Sequence, residues 1–379
     1  MHVEILGGGP AGLTLAILLK NHDPAHRVRV VERGPRGATW GFGVVFSDRA
    51  LDFLKADAPA LHDLLTPQMQ SWRDLTIVHS DLRIPIGGNG FASIGRLQLL
   101  NLLQGEAQRA GVELAFERPL ADVDELGEAD LCVAADGAFS TSRDARAQAF
   151  GTQVDWRHNR FVWYGSTMPF DTLTLTFRRH ALGTFCAHHY RYAPDRSTFL
   201  VEVDEATYQR AGFETMPEAD SLRLCEQVFA PDLQGHPLLS NRSTWRRFPV
   251  IRNTRFFSGR TVLIGDALRT VHFSIGSGTR LAMEDAIALA KALRAEADVE
   301  RALERFQAER EPPMKKIWDA ANVSLRWYER MGEMMELDPH EFAYGYMTRS
   351  GRVDHAEMRR RDPTLAAAYE RLHPERFDR

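Results

Sequence analysis

Cysteine is scarce in this chain, and the three present (Cys132, Cys186, Cys225) are far apart and form no CxxC pair. That spacing argues against a disulfide framework, a reactive dithiol or a zinc site, and no metal is expected. No apolar run approaches the length of a membrane span, and the first residues lack the pattern of a signal peptide. Val3 and Ile5 already read as a strand, so the expectation is a cytoplasmic chain with no membrane association. Neither sign of charge dominates: 47 Lys and Arg stand against 51 Asp and Glu, a net charge of −4. General affinity for nucleic acid is therefore excluded. Repeats and low-complexity linkers are missing too.

What is there is ordinary in bulk and specific in detail. With 379 residues, 44% hydrophobic and 26% charged, the chain can bury a large core in two domains, or in one with an inserted second sheet. Val3–Leu6 reads as a strand, Gly7-Gly8-Gly9-Pro10-Ala11-Gly12 as a tight turn, Leu13–Lys20 as a helix apolar all round, and Val28–Glu32 as the next strand. This is a β-α-β unit of dinucleotide-binding length. Gly7 makes the turn, Gly9 admits a pyrophosphate, Gly12 allows close helix–strand packing, and Glu32 takes ribose hydroxyls. A solvated surface carboxylate is the competing reading of Glu32.

The fingerprint does not choose between NAD and FAD. Three further features do: Arg96 at the start of a helix, Asp136-Gly137 closing a buried strand, and Gly265-Asp266 closing another before the turn Gly276-Ser277-Gly278-Thr279. A cofactor held from both ends suits FAD, whose flavin lies far from its adenine. Gly278 and Thr279, at a helix start, offer backbone N–H groups to a charged ring end. Residues 159–205 change character, with short β-rich runs separated by turns, and read as an antiparallel meander. Gly41–Phe46 reads as a glycine-rich, pocket-lining loop, with Phe42, Val44 and Phe46 as wall residues. His188 and Tyr190 lie two apart on one strand and share a face, whereas His189 points away. His188, Tyr190 and His272 are the catalytic candidates. A packed core histidine competes for His188, and a turn-fixing hydrogen bond for His272.

The combination of GxGxxG, Asp-Gly and Gly-Asp resembles the single-component (group A) FAD-dependent aromatic hydroxylases of the para-hydroxybenzoate hydroxylase type. Trp40–Asp48, Gly90–Arg96, His272–Thr279 and Thr348–His355 resemble the acyl-CoA branch, salicylyl-CoA 5-hydroxylases and the monooxygenase half of 2-aminobenzoyl-CoA monooxygenase. The sheet pattern over 159–205 is also similar to a tryptophan hydroxylase of a pigment pathway. The resemblance implies an α/β fold: a Rossmann-like FAD-binding domain over residues 1–155 and 255–295, an inserted antiparallel substrate sheet over 156–254, and C-terminal helices and tail over 296–379. It implies FAD held by Gly7, Gly9, Ala11, Gly12, Glu32, Arg33, Val44, Arg96, Asp136, Asp266, Gly276, Gly278 and Thr279. No second nucleotide fingerprint is present, and the resemblance implies that NADPH or NADH docks transiently.

The implied reaction is O2-dependent ring hydroxylation of an ortho-hydroxy- or ortho-amino-benzoyl-CoA through a C4a-hydroperoxyflavin. A fused reductase like that of the aminobenzoyl-CoA enzyme is not expected, and simple hydroxylation is the favoured reading. Alternatives are an indole-type hydroxylase, a FAD-dependent reductase without oxygen insertion, and a flavin-binding module without activity. A homodimer is compatible with the resemblance, and the sequence leaves the oligomeric state open. A CoA thioester needs cations for its phosphates, and Arg157, Arg160, Arg246, Arg247, Arg349, Arg352 and Arg359–Arg361 all qualify. Leu268-Arg269 departs from the branch's spelling and marks a place where the substrate itself could differ.

Overall fold

The structure is a computed structural model that describes residues 1–47 and 51–377; Asp48, part of one quoted motif, lies outside them. Strands His2–Leu6 and Arg27–Val31 pair in parallel, joined by the crossover helix Pro10–His22. That helix is buried on nearly every side, as its all-round apolar sequence requires. Six strands form this sheet, in the order Phe257–Ser258, Thr261–Leu263, Leu131–Ala134, His2–Leu6, Arg27–Val31, Glu113–Ala115. All neighbours are parallel except the terminal hairpin. Thr261–Leu263 arrives from far downstream to lie beside Leu131–Ala134, so the turns after Leu6, Ala134 and Leu263 leave one edge together. The carboxyl edge of an open parallel sheet is where ligands collect.

The second sheet is larger than the meander expected over 159–205. Its path runs Leu238–Leu239, Gln153–Ser166, Arg196–Val203, Gly183–Ala193, Leu173–His180, Leu75–His79, Leu82–Ile86. Gln153–Ser166 skips its successor and pairs with Arg196–Val203. Leu173–His180 pairs in parallel with Leu75–His79. The last two strands come from the segment assigned to the cofactor domain. Leu75–His79 is buried at all five positions, and such a strand needs partners on both edges.

A third, three-stranded sheet corrects the reading of Gly41–Phe46 as a loop. Gly43–Ser47 is a strand, paired with Phe91–Gly95, which also pairs with Gln70–Trp72. Of the three apolar residues, only Val44 reaches the cavity. Phe46 is fully buried in the core. The Phe42 ring lies against Gly165, where an added Cβ would stand 2.5 Å from it.

Helices complete the chain. Val299–Tyr328 crosses between the two halves, and Pro339–Thr348, His355–Arg361 and Pro363–Leu372 pack their Phe342, Tyr346, Met358 and Leu365 onto the second sheet. No helix among the described residues is long and apolar enough to cross a membrane.

One buried carboxylate ties the distal turn to this frame. Asp285, in helix Gly278–Ala295, is 0% exposed. It accepts hydrogen bonds from Gly265 N at 3.0 Å, from both terminal nitrogens of Arg269 at 2.8 and 2.6 Å, and from Arg310 Nε at 2.7 Å. Burial pushes its carboxyl up, but the Arg269 and Arg310 guanidiniums outweigh that and hold it below the ordinary aspartate range. Asp285→Asn leaves the buried Arg269 without its anion and Arg310 with Glu284 alone, and is expected to cost about 3 kcal/mol or more of stability, read as a lower unfolding midpoint. Because the native carboxyl is held low, its contribution is present above the unfolded pKa of about 3.9 and is lost as pH falls through the native value. The gap between native and variant should therefore close in acid.

Candidate active site

A cavity of about 990 Å³ lies between the parallel sheet and the antiparallel sheet, at the upper end of the roughly 300–1,000 Å³ common for ligand sites. One end is the nucleotide turn. Gly7 has φ +112°, and a Cβ there would lie 2.3 Å from the Ala135 carbonyl oxygen. A Cβ on Gly12 would lie 2.2 Å from the Gly7 carbonyl oxygen. Both positions are closed to any side chain. Above Gly9 the space is open, with nothing within 4 Å of an added Cβ, and Gly9, Pro10 and Ala11 line the cavity. Helix Pro10–His22 thus points its N-terminus at open space, as a pyrophosphate requires.

Glu32 is more occupied than the sequence suggested. Its two oxygens accept from Gly8 N and Gly34 N, each at 2.8 Å. It holds the turn, with lone pairs left for a ribose. Arg33 is exposed beside it. Asp136 also serves the backbone: one oxygen accepts from Thr141 N at 3.1 Å, and the other is buried without a partner. Its neighbours Ala135, Gly137 and Ala138 line the cavity instead.

The other end is the distal turn. Asp266 stands on the cavity floor, open to cavity solvent. Its enclosed position pushes the carboxyl up, against the pull of Arg96 and Arg269. Arg96 lines the same wall and donates from Nε to Thr39 Oγ1 at 3.1 Å. Beyond Gly276, helix Gly278–Ala295 begins without a side-chain cap. Gly276, Gly278, Thr279 and Arg280 face the cavity, leaving first-turn N–H groups free for a charged ring end. Val44 completes the wall between the two ends. Arg269, flagged by its odd spelling, is 3% exposed and turned inward onto Asp285. It is a brace, and the departure at Leu268-Arg269 carries no substrate contact.

The roof comes from the second sheet. His188, Tyr190 and Leu200 reach the cavity, while His189 turns away, as alternation predicted. His189 bonds Thr176 Oγ1 at 3.0 Å and stacks on Phe199. Tyr190 donates its hydroxyl to the Gly43 carbonyl at 2.9 Å, so it anchors the strand beside Val44. His272 does not line the cavity. Its Nδ1 lies 2.8 Å from Ser274 Oγ and caps the short turn Phe273–Ile275, and burial pushes its pKa down to about 4. The expectation of a catalytic His272 gives way to a neutral, turn-fixing histidine.

Sequence reasoning passed over Glu202. It sits on strand Arg196–Val203, 1% exposed, 3.3 Å from His188 Nε2 and 2.8 Å from Asn159 Nδ2. Burial alone would raise its carboxyl, but the hydrogen bond to His188, the nearby His272 and the Asn159 amide hold it below the usual range. An ionised carboxylate only accepts, so His188 Nε2 carries the proton and Nδ1 is the lone-pair nitrogen. Nδ1 has no partner among the described residues. The signal was available: a Glu inside Phe199-Leu200-Val201-Glu202-Val203 cannot be buried without a partner.

This site defines a flavin enzyme acting on an apolar ring. The FAD binding domain family matches residues 101–321, and the chain belongs to the FAD-dependent aromatic monooxygenases. FAD is its cofactor and NAD(P)H its co-substrate. Salicyloyl-CoA 5-hydroxylase from a Streptomyces species is 39% identical over 362 residues, covering 92% of this chain and 70% of that one. Protodeoxyviolaceinate monooxygenase from Chromobacterium violaceum is 35% identical, covering 92% and 94%. An aryl-carrier-protein-linked 3-hydroxy-4-methyl-anthranilyl 5-monooxygenase from Streptosporangium sibiricum is 35% identical, covering 88% and 91%. Among solved structures, a tetrameric 2-methyl-3-hydroxypyridine-5-carboxylic acid oxygenase superposes with TM-score 0.71 at 17% identity, covering 95% and 97%. The expected Rossmann-like fold with its inserted antiparallel sheet is therefore the fold of the chain.

Asp266 contributes no packing, so Asp266→Ala should leave the fold intact. It is expected to weaken FAD retention about tenfold or more, measured as flavin bound per chain after dialysis.

Proposed function

We propose that the chain hydroxylates the ring of an ortho-hydroxy- or ortho-amino-benzoyl-CoA, with salicyloyl-CoA as the first substrate to test. The observation that carries this reading is His188 on the cavity wall, backed by the buried Glu202 and set among apolar side chains. The similarity to salicyloyl-CoA 5-hydroxylase supports the thioester. Leu173, Leu175, Leu200, Phe91, Phe273 and Met347 offer a ring apolar walls, and His188 adds one lone-pair nitrogen among them.

FAD, when bound and reduced by NAD(P)H, supplies the oxygen-activating chemistry. Gly9 and Ala11 would hold its nucleotide half, with Gly12 letting the helix pack beneath them, Asp266 and Arg96 the centre, and Gly276, Gly278 and Thr279 the ring end. The chain's own part is to position the substrate, exclude water and move a proton. His188 Nδ1 takes the proton of an ortho-hydroxyl, or accepts a hydrogen bond from an ortho-amino group, and either way raises electron density in the ring. Glu202 fixes the tautomer and stabilises the imidazolium that forms. Tyr328 stacks on the His188 ring at 5.1 Å between centroids and holds its plane. Arg349 ties the tail to the roof, donating to Ser324 Oγ at 2.8 Å and to the Ser274 carbonyl at 2.9 Å, with its guanidinium over Tyr346.

Three measurements test this. In the presence of FAD, salicyloyl-CoA should stimulate NAD(P)H oxidation and oxygen uptake and give a product one oxygen heavier. Free salicylate or tryptophan should not. Stimulation by a free acid, or turnover without oxygen uptake, overturns the reading. His188→Gln is expected to lower kcat about 100-fold with FAD still bound. Glu202→Gln removes the carboxylate that fixes the His188 tautomer and should lower kcat/KM across its pH profile with FAD still bound. His272, neutral above about pH 4, contributes no limb near neutrality.

A further inference from the structure

The arginines that sequence alone could not rank separate by their partners. Arg157 pairs with Asp155 and Glu329, Arg160 with Glu205, and Arg359 with Glu370. Arg349 spends its nitrogens on Ser324, Tyr346 and Ser274. Arg247 donates to the Trp156 and Arg157 carbonyls. Arg352 makes no hydrogen bond and no ion pair with any described residue. It is exposed, it lines the large cavity, and Arg280 and Arg361 act on it, while the Asp354 and Glu357 carboxylates nearby serve Glu357 N and the Arg360–Arg361 pair. Removal from bulk water and these like charges press its pKa down. A guanidinium left among cations and facing a cavity lacks an anion.

Around it the chain builds a second recess. Arg352, Asp354, Ala356, Glu357, Arg360 and Arg361 enclose about 420 Å³, and four of these residues also line the main cavity. The two spaces therefore share a wall. Arg360 and Arg361 lie in the last turn of helix His355–Arg361, where the helix dipole favours cations, and they share the single carboxylate of Glu357. Arg361 Nη1 also reaches Asn89 Oδ1 at 3.4 Å, and a Cβ on Gly88 would lie 3.1 Å from the Arg361 carbonyl oxygen. The recess thus opens beside the loop that leads to Phe91, and beside Tyr346 and Met347, on the side of the cavity given above to the aromatic ring.

We propose that Arg352, with Arg360 and Arg361, binds the phosphates of the coenzyme A portion of the substrate in this recess, the acyl group running from it into the aryl cavity. The proposal rests on the acyl-CoA reading above. Planar guanidiniums match phosphate oxygens in paired geometry, and the 3′-phosphate and diphosphate would supply the anion that Arg352 lacks. Asp354 is committed to its own helix, accepting from Glu357 N at 2.8 Å.

The test compares two thioesters on the FAD-loaded enzyme: salicyloyl-CoA, and salicyloyl-pantetheine, which has the same acyl arm and no phosphate. The native enzyme should show a KM for salicyloyl-CoA about tenfold or more below that for salicyloyl-pantetheine, with the difference shrinking at high salt. Arg352→Ala/Arg360→Ala should close the gap by raising the salicyloyl-CoA KM alone, and Arg352→Lys should restore part of it. Flavin content and melting temperature check the fold. If the double variant loses FAD, the single Arg352→Ala, whose side chain holds nothing in place, carries the measurement. Equal KM values in the native enzyme overturn the phosphate site and leave aryl-thioester hydroxylation standing. So does a gap that survives these variants, or one that closes in Arg246→Ala instead. Turnover of free salicylate but of neither thioester defeats the acyl-CoA reading, and this proposal with it.

Discussion

Asp285 is the anchor on which the site's geometry depends. It lies where the parallel sheet's last inner strand, the start of helix Gly278–Ala295 and the long helix Val299–Tyr328 meet, and it ties all three. Drawing Arg269 inward leaves Asp266 as the acid that faces the cavity from the same turn. The turn's direction is therefore set by a buried ion cluster with excellent geometry, in which a missing partner would be costly. The cofactor floor inherits its precision from that cluster.

A second buried carboxylate organises the roof. Glu202 engages His188 and Asn159 across three strands, with His272 Nε2 3.9 Å away. It fixes which nitrogen of His188 carries a proton, and so which one can receive another. Tyr190, on the same face, serves a different purpose, because the Gly43 carbonyl takes its hydroxyl. Two side chains that look equivalent by alternation thus divide into one paired with a buried carboxylate and one whose hydroxyl holds the wall.

The C-terminal segment belongs to the site as much as the nucleotide turn does. Tyr346, Met347 and Arg352 line the cavity, and Arg349 bridges to the distal turn. Strands Leu75–His79 and Leu82–Ile86 make this arrangement work, since they extend the roof and give the tail helices Pro339–Thr348 and Pro363–Leu372 an apolar face to pack on.

Local rules made much of this legible in the sequence. Gly7, Gly9 and Gly12 follow from steric limits on one turn, and the opposed faces of His188 and His189 follow from strand alternation. The all-round burial of helix Pro10–His22 and the helix start at Gly278 are equally local. Partnership over long separation was not legible. Leu75–His79 joining Leu173–His180, Arg269 folding onto Asp285, and Glu202 meeting His188 depend on which segments become neighbours. The arginines show this most plainly: nine cations look alike along the chain, because a charge has no pattern that reveals whether its anion is near. Only the folded chain decides which are neutralised by a carboxylate, which brace the backbone, and which one, Arg352, has no partner among the described residues.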